Sequence, residues 1–213
     1  MSKLIIYLDS GHHPKQPGKR SPVLQDGRQF YEWKANLEIC REIIRLHYEG
    51  KSPTAANKDF EVHFPIHPTD PKAVTIERRA QHYNQLSASR PGGNKLILSV
   101  HSNAAGDGRR WHPAHGIETY YWHTSRIGAA CATVFQNHLV RSFEWMDRGV
   151  KPTSTLGLLR MCNAPVILTE TGFFTNEDQV QQMLKPEYIT TAAAAHYAAI
   201  KELHEHAQDG KIF

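Results

Sequence analysis

Lys95-Leu-Ile-Leu-Ser-Val-His101 shows a pattern that recurs along the chain, in which a short apolar run ends on a residue able to bind a metal. Leu4-Ile-Ile-Tyr-Leu8 is followed in the same way by Asp9-Ser-Gly-His12, and Pro165-Val-Ile-Leu-Thr169 is followed by Glu170. Short apolar runs of this kind are typical of buried parallel strands. Because ligands of open α/β sheets bind outside the carboxyl ends of the strands, these end residues are expected to share one site.

Helical segments alternate with the apolar runs, and this alternation predicts an α/β fold. We expect a single domain with a mostly parallel twisted sheet flanked by helices on both faces. The predicted strands cover residues 4–8, 60–65, 96–100, 116–122 and 166–169, with a short extended piece at 157–160. The predicted helices cover residues 30–47, 73–88, 125–143 and 187–207, with a further helix capped by Asn176. A polar break is expected at 50–59.

The composition excludes several classes of function. The 213 residues are 40% hydrophobic and 22% charged, with a formal net charge of +4. The sequence contains no dense basic patch, so nucleic-acid binding is not expected. No apolar run approaches the roughly 20 residues that a membrane span needs. Three widely spaced cysteines, Cys40, Cys131 and Cys162, form neither a metal motif nor a disulfide framework, which suits a reducing compartment. The start, Met-Ser-Lys, lacks the features of a signal peptide, so synthesis in the cytoplasm is expected.

Four residues carry the chemistry that the pattern predicts. Two imidazoles and one carboxylate are a common ligand set for catalytic zinc, and His12, Glu32 and His101 fit it. Zinc lowers the pKa of a bound water to about 7 and polarises a carbonyl group. A further carboxylate, for which Glu170 is the candidate, can take the proton of the water and pass it to a leaving amine. The same ligand types also suit non-haem iron.

Each candidate also has a structural interpretation. The chain has 14 histidines, and most are expected in loops or on the surface. Glu32 opens a predicted helix, where the helix dipole alone favours a carboxylate. Glu170 differs, because a carboxylate that ends an apolar strand is costly to bury without a partner. His13 follows His12 directly and could replace it as a ligand.

Five blocks, in order along nearly the whole chain, resemble the zinc-dependent N-acetylmuramoyl-L-alanine amidases of the type 3 amidase family. They are Leu8-Asp-Ser-Gly-His12, Tyr31-Glu-Trp-Lys-Ala-Asn36, Ser99-Val-His-Ser-Asn-Ala-Ala-Gly106, Gly116-Ile-Glu118 and Val166-Ile-Leu-Thr-Glu-Thr-Gly-Phe-Phe-Thr-Asn176. The block Pro17-Gly-Lys-Arg-Ser-Pro22 resembles phage endolysins of this family in particular. The chain departs from the family pattern at Ser10, at His13 and at Thr171.

The resemblance implies that His12, Glu32 and His101 bind one Zn²⁺ and that Glu170 is the catalytic carboxylate. It implies hydrolysis of the amide between N-acetylmuramic acid and the first L-alanine of the stem peptides in peptidoglycan, in phage or prophage lysis. It also implies one catalytic domain over residues 1–213 without a separate wall-binding domain. Such an enzyme would be made in the bacterial cytoplasm and would act on the cell wall after release.

Two other functions are compatible with the sequence: another zinc exopeptidase or deacylase on a similar scaffold, and a non-catalytic wall-binding module. The second would be expected to lack a site residue, and none is missing. Further residues are candidates for supporting roles. Asn36 could brace Glu32, whereas Asn103 and Glu118 could orient ligands or line a groove. Lys19 and Arg20 could meet stem-peptide carboxylates, and Trp111 and His112 could form a groove wall.

Overall fold

A computed structural model describes residues 3–49, 59–71 and 75–213. The strands are β1 (Leu4–Ser10), β2 (Phe60–His63), β3 (Asn94–Asn103), β4 (Ile117–Trp122), β5 (Asp147–Thr153) and β6 (Val166–Phe173). The helices are α1 (Glu32–Tyr48), α2 (Ile76–Ala88), α3 (Arg126–Phe143), α4 (Gly157–Met161), α5 (Glu177–Met183) and α6 (Pro186–Gln208). None of the helices in the described ranges is long and apolar enough to cross a membrane.

The six strands form one sheet in the order β2-β1-β3-β6-β4-β5. All neighbouring pairs are parallel except β4 and β6, which run antiparallel. The prediction of a mostly parallel sheet is therefore confirmed. The antiparallel pair matters for the site, because it places Glu118 of β4 directly opposite Glu170 of β6.

Helices cover both faces of the sheet, as predicted. Ile6 and Leu8 of β1 belong to a core that includes residues of α1, α3 and α6. Their neighbours Ile5 and Tyr7 point to the other face and pack with residues of α2 and α4. Because side chains alternate between two buried faces, the central strands are apolar at nearly every position.

Capping residues recognised in the sequence mark where two of the helices begin. Ser125 caps α3 by accepting a hydrogen bond from the Gly128 amide, and Asn176 caps α5 by accepting one from the Gln179 amide. The predicted extended piece at 157–160 is wrong, because these residues begin the short helix α4, in which Leu158 and Leu159 are both buried. Five residues are too few to display helical periodicity.

Strand β5 was not predicted from the sequence. It contains Gly149 and Pro152, which weaken the strand signal, and it lies at the edge of the sheet, where proline is tolerated. The predicted polar break at 50–59, apart from its last residue, and the first residues of the predicted second helix, 73 and 74, lie outside the described residues.

Candidate metal centre and active site

The sheet brings His101 and Glu170 side by side. The register of β3 and β6 pairs His101 with Glu170, and the register of β6 and β4 pairs Glu170 with Glu118. Neighbouring strands lie about 4.8 Å apart, so the three side chains form a row across one face of the sheet. A bulge between His101 and Asn103 interrupts the pairing. Bulges beside active sites commonly re-aim a side chain.

His12 and Glu32 reach the same place from a loop and a helix. The Gly11 amide donates to the Val100 carbonyl at 2.9 Å, which fixes the chain beside β3 immediately after β1 ends. His12 then adopts a left-handed backbone conformation with φ of 65°. This conformation is strained for a residue with a side chain, and such strain is concentrated at functional sites. Glu32 is the first residue of α1, and its amide donates to the Lys19 carbonyl at 3.1 Å.

The three predicted ligands meet at one carboxylate oxygen. Oε1 of Glu32 lies 3.2 Å from Nε2 of His12 and 3.1 Å from Nδ1 of His101. The two imidazole rings are edge to face, with centroids 4.8 Å apart. Among the described residues, His12, Glu32 and His101 form one cluster that could hold a metal ion, because their candidate ligand atoms all lie within 4.8 Å of one another. His13 lies outside this group, and its Nδ1 accepts a hydrogen bond from the Lys15 amide at 3.2 Å.

Gly11 has a steric role in this arrangement. A Cβ atom at this position would lie 2.4 Å from Cε1 of His101 and 2.5 Å from both of its ring nitrogens. The imidazole of His101 therefore occupies the space that any other residue at position 11 would fill. This explains why a glycine precedes the first histidine of the site.

Two side chains support the His12 loop. Oε1 of Gln16 lies 3.0 Å from Nδ1 of His12, a contact of the kind that fixes the orientation of a ligating ring. Nδ2 of Asn36 donates to the Gly11 carbonyl at 3.2 Å. The expectation that Asn36 braces Glu32 is thus wrong, because the side-chain amide of Asn36 holds the loop before His12 instead. Gln16 was missed by the sequence reasoning, because an irregular loop offers no periodic signal.

A buried network supports the end of β1 on the face of the sheet that α2 covers. Oδ2 of Asp9 accepts from Oγ of Ser99 at 2.6 Å, and Oδ1 accepts from the Tyr83 hydroxyl at 3.1 Å. Nη2 of Arg79 lies 3.5 Å from Oδ1 of Asp9 and donates to the Ser10 carbonyl. The network ties α2 to the residues that immediately precede Gly11.

The electrostatics of Glu32 suit a cation. Burial disfavours its carboxylate, but the two imidazoles outweigh this effect and hold the pKa of Glu32 well below its usual range. Oε2 of Glu32 is buried and has no hydrogen-bond partner among the described residues. Burial and the neighbouring His12 lower the pKa of His101 despite the opposing influence of Glu32. A carboxylate and a neutral imidazole are the forms that bind metals.

The pKa values of the adjacent carboxyl groups of Glu170 and Glu118 are shifted in opposite directions by their surroundings. Burial, reinforced by the charges of Glu32 and Glu118, raises the pKa of Glu170 well above its usual value, against a smaller opposing effect of Lys19. Oε2 of Glu170 has no hydrogen-bond partner in the described structure. Burial also opposes ionisation of Glu118, but hydrogen bonds from Lys151, Tyr120 and other donors lower its pKa to about 2. The pKa values of these two neighbouring carboxyl groups are therefore shifted in opposite directions.

The remaining predicted contacts lie around this centre. Asn103 donates to Glu118 at 2.7 Å instead of contacting a candidate ligand. Trp111 packs against the core that includes α1 residues. Arg20 lines a groove of about 660 Å³ beside the His12 loop, together with Arg109 from the loop after β3.

Comparison with known proteins places the chain in a family. The family model described as N-acetylmuramoyl-L-alanine amidase matches residues 6–202. The chain belongs to this family, the type 3 amidases. It is accordingly an amidase of peptidoglycan, and the resemblance drawn from the sequence is confirmed. The match does not support the alternative of an exopeptidase or deacylase.

The chain is similar to individual proteins over most of its length. The amidase is 28% identical over 193 residues to the uncharacterized protein YqiI of Bacillus subtilis (strain 168), covering 89% of this chain and 80% of YqiI. It is 24% identical over 203 residues to a sporulation-specific N-acetylmuramoyl-L-alanine amidase of the same organism, covering 92% and 67% of the two chains. The crystal structure of an N-acetylmuramoyl-L-alanine amidase from Clostridium difficile 630 superimposes with a TM-score of 0.75 at 24% identity, covering 95% and 97%. This superposition confirms the predicted fold.

Proposed function

We propose that this amidase is zinc-dependent and cleaves the amide between N-acetylmuramic acid and L-alanine, with His12, Glu32 and His101 as ligands and Glu170 as the proton-exchanging group. The observation that carries the proposal is the buried Glu32 carboxylate. One of its oxygens lies within 3.2 Å of two imidazole nitrogens, and the other has no hydrogen-bond partner in the part of the chain that the structure describes.

The donor set fits zinc. Two imidazoles and one carboxylate leave a fourth position for water or substrate, which is the arrangement of catalytic zinc sites. The unpartnered Oε2 of Glu32 and the glycine that makes room for the His101 ring both favour a built site over a chance cluster. When bound, zinc lowers the pKa of a water to about 7 and polarises a substrate carbonyl.

Glu170 has the position and the protonation behaviour that amide hydrolysis requires. It lies on the strand beside His101, and its free Oε2 can accept the proton of the attacking water. An amine leaves poorly unless it is protonated, so the same carboxyl then donates that proton to the leaving nitrogen. A cation bound to Glu32 would offset one of the negative charges that raise the pKa of Glu170, and this would favour the carboxylate form that accepts the proton.

The test of this proposal combines metal removal with identification of the products. Purified protein is stripped with a chelator, reconstituted with Zn²⁺ and incubated with purified peptidoglycan, and the products are identified by mass spectrometry. We expect no activity without metal, recovery at one equivalent of zinc, and free peptides that begin with L-alanine. Full activity without metal, or cleavage within the glycan or the peptide, would contradict the proposal.

Adjacent histidines provide a matched pair of variants for the same assay. His12→Ala should lose both zinc and activity, because it removes one of the three clustered ligands. His13→Ala should keep both, since its ring lies outside the cluster. The reverse result would transfer the ligand role to His13.

We also propose that the enzyme acts in phage or prophage lysis. The support is the resemblance of Pro17-Gly-Lys-Arg-Ser-Pro22 to phage endolysins. Expression in the bacterial cytoplasm should leave cells intact until a membrane pore is co-expressed, and lysis should then be rapid with the wild type and absent with Glu170→Gln. Equal turbidity loss with both proteins would contradict a lytic role.

A further inference from the structure

Glu118 organises a polar cluster beside Glu170. Glu118 is only 3% exposed, and each of its two carboxylate oxygens accepts two hydrogen bonds. Oε1 accepts from Nδ2 of Asn103 at 2.7 Å and from the Tyr120 hydroxyl at 2.6 Å. Such a carboxylate has no free lone pair with which to bind a metal or exchange a proton, so its role lies in what it holds.

Glu118 holds two cations from β5. Its Oε2 accepts from Nε of Arg148 at 2.7 Å and from Nζ of Lys151 at 2.5 Å. The guanidinium of Arg148 also lies over the Phe173 ring, 4.9 Å from its centroid. Two cations on one carboxylate leave a net charge of +1.

Both cations keep hydrogen-bonding capacity for a ligand. The side chains of Arg148 and Lys151 are 28% and 35% exposed, whereas that of Glu118 is 4% exposed. In the described structure the Lys151 ammonium donates one hydrogen bond, to Glu118, although it carries three N–H groups. Besides its bond to Glu118, Arg148 makes one long contact, 3.5 Å from Nη1 to the His115 carbonyl. The cluster therefore presents fixed, partly exposed donors with excess positive charge.

The spacing from Glu170 matches a peptide substrate. Glu118 is the cross-strand partner of Glu170, and β5 is the next strand outward. Strands are about 4.8 Å apart, whereas an extended peptide advances about 3.3–3.6 Å per residue. A carboxylate on the residue after the scissile L-alanine would lie within about 7 Å of the cleaved bond, which long Arg and Lys side chains can reach.

We propose that Arg148 and Lys151 bind a carboxylate of the stem peptide, carried by the residue that follows L-alanine, and that Glu118 is a positioning residue that holds both cations. The inference rests on the proposed amidase function of the neighbouring site. It assigns carboxylate recognition to the β5 edge of the sheet, whereas the sequence had suggested the loop residues Lys19 and Arg20.

The test uses two substrates that differ in one group. N-acetylmuramoyl-L-alanyl-D-glutamate carries a free α-carboxylate on its second residue, and the D-isoglutamine counterpart carries the amide. The wild type should cleave the acid with a kcat/KM about tenfold higher, as expected for a charge-assisted hydrogen bond at a partly exposed site. Lys151→Met should lose this preference by slowing only cleavage of the acid.

Lys3→Met is the matched control. Lys3 is 32% exposed and is bound to Glu61 at 2.9 Å, which resembles the setting of Lys151 but lies near the start of β1. This variant should keep the preference of the wild type. Equal cleavage of acid and amide by the wild type, or an equal loss on both substrates in Lys151→Met, would overturn the inference.

Measuring the affinity of the wild-type protein for the two peptides tests carboxylate recognition without relying on turnover or on a stable variant. Calorimetry with zinc-loaded wild type should show tighter binding of L-alanyl-D-glutamate than of L-alanyl-D-isoglutamine, again by about tenfold. Equal affinities would refute carboxylate recognition. Absence of cleavage of both substrates, together with this difference in binding, would refute the proposed reaction and leave the carboxylate site standing.

Discussion

Replacing Gly11 with alanine should disable the metal centre without unfolding the protein. Gly11 does not adopt a left-handed backbone conformation, so its backbone is compatible with alanine. The added Cβ would lie 2.4 Å from Cε1 of His101, where ordinary contact begins at 3.4 Å. The ring or the loop must therefore move by about 1 Å, and a misplacement of that size can cost about 100-fold in rate. We expect zinc affinity to fall about 10- to 100-fold, the usual range when the support of a ligand is disturbed.

The assay measures zinc affinity by competition with a chromophoric chelator, and kcat/KM on a soluble muropeptide at saturating zinc. Gly157→Ala is the control, because its Cβ would meet a methyl group of the exposed Ile76 side chain at 2.9 Å. This contact lies between α4 and α2. That variant should bind zinc and turn over as the wild type does. Wild-type zinc affinity and kcat/KM in Gly11→Ala would refute the steric reasoning.

Three further predictions concern the carboxylates. Glu170→Gln should keep one zinc per chain in metal analysis but lose about 10²- to 10⁴-fold in kcat, the range for loss of a general acid–base group; retention of full turnover would remove Glu170 from its role. Because the folded-state pKa of Glu170 is raised, its protonation stabilises the metal-free fold at low pH, and this stability is lost as pH rises from about its usual value of 4.5 through the raised pKa. The melting temperature of metal-free Glu170→Gln should therefore exceed that of the wild type more at pH 8 than at pH 5, and an equal difference at both would contradict this. Asp9→Asn should destabilise the fold by about 3–5 kcal/mol in urea unfolding, since it leaves the buried Arg79 charge uncompensated, whereas Asp26→Asn, in an exposed pair with Arg28, should leave the unfolding midpoint unchanged.

The end residues of the central strands were predictable because apolar runs mark strands buried on both faces. His101 and Glu170 follow such runs directly, and their pairing across β3 and β6 places them together. Gly11 is the single residue between the end of β1 and His12, and it leaves room for the ring of His101. Glu32 was less accessible to this reasoning, because the start of a helix accounts for a carboxylate equally well. The prediction that Glu32 is a ligand rested mostly on the resemblance to a family, and the structure places its carboxylate against both imidazoles.

The contacts of the site that could not be predicted from the sequence involve an irregular loop and the edge of the sheet. Gln16 contacts His12 through the path of an irregular loop, and no spacing rule encodes that path. Strand β5 carries a glycine and a proline, so its pattern resembles a loop, and Arg148 and Lys151 could not be placed beside Glu118. The antiparallel pairing of β4 with β6 decides which residue faces Glu170, and strand direction is a property of the whole connection rather than of local sequence.

The proposed zinc site is tested most directly by the anomalous scattering of a zinc-loaded crystal recorded on both sides of the zinc absorption edge. We predict one peak per chain, at a bonding distance of about 2.0–2.2 Å from a nitrogen of His12, a nitrogen of His101 and an oxygen of Glu32, with Glu170 nearby but not coordinated. A peak bound by His13 in place of His12, direct coordination by Glu170, or no peak at this site would contradict it.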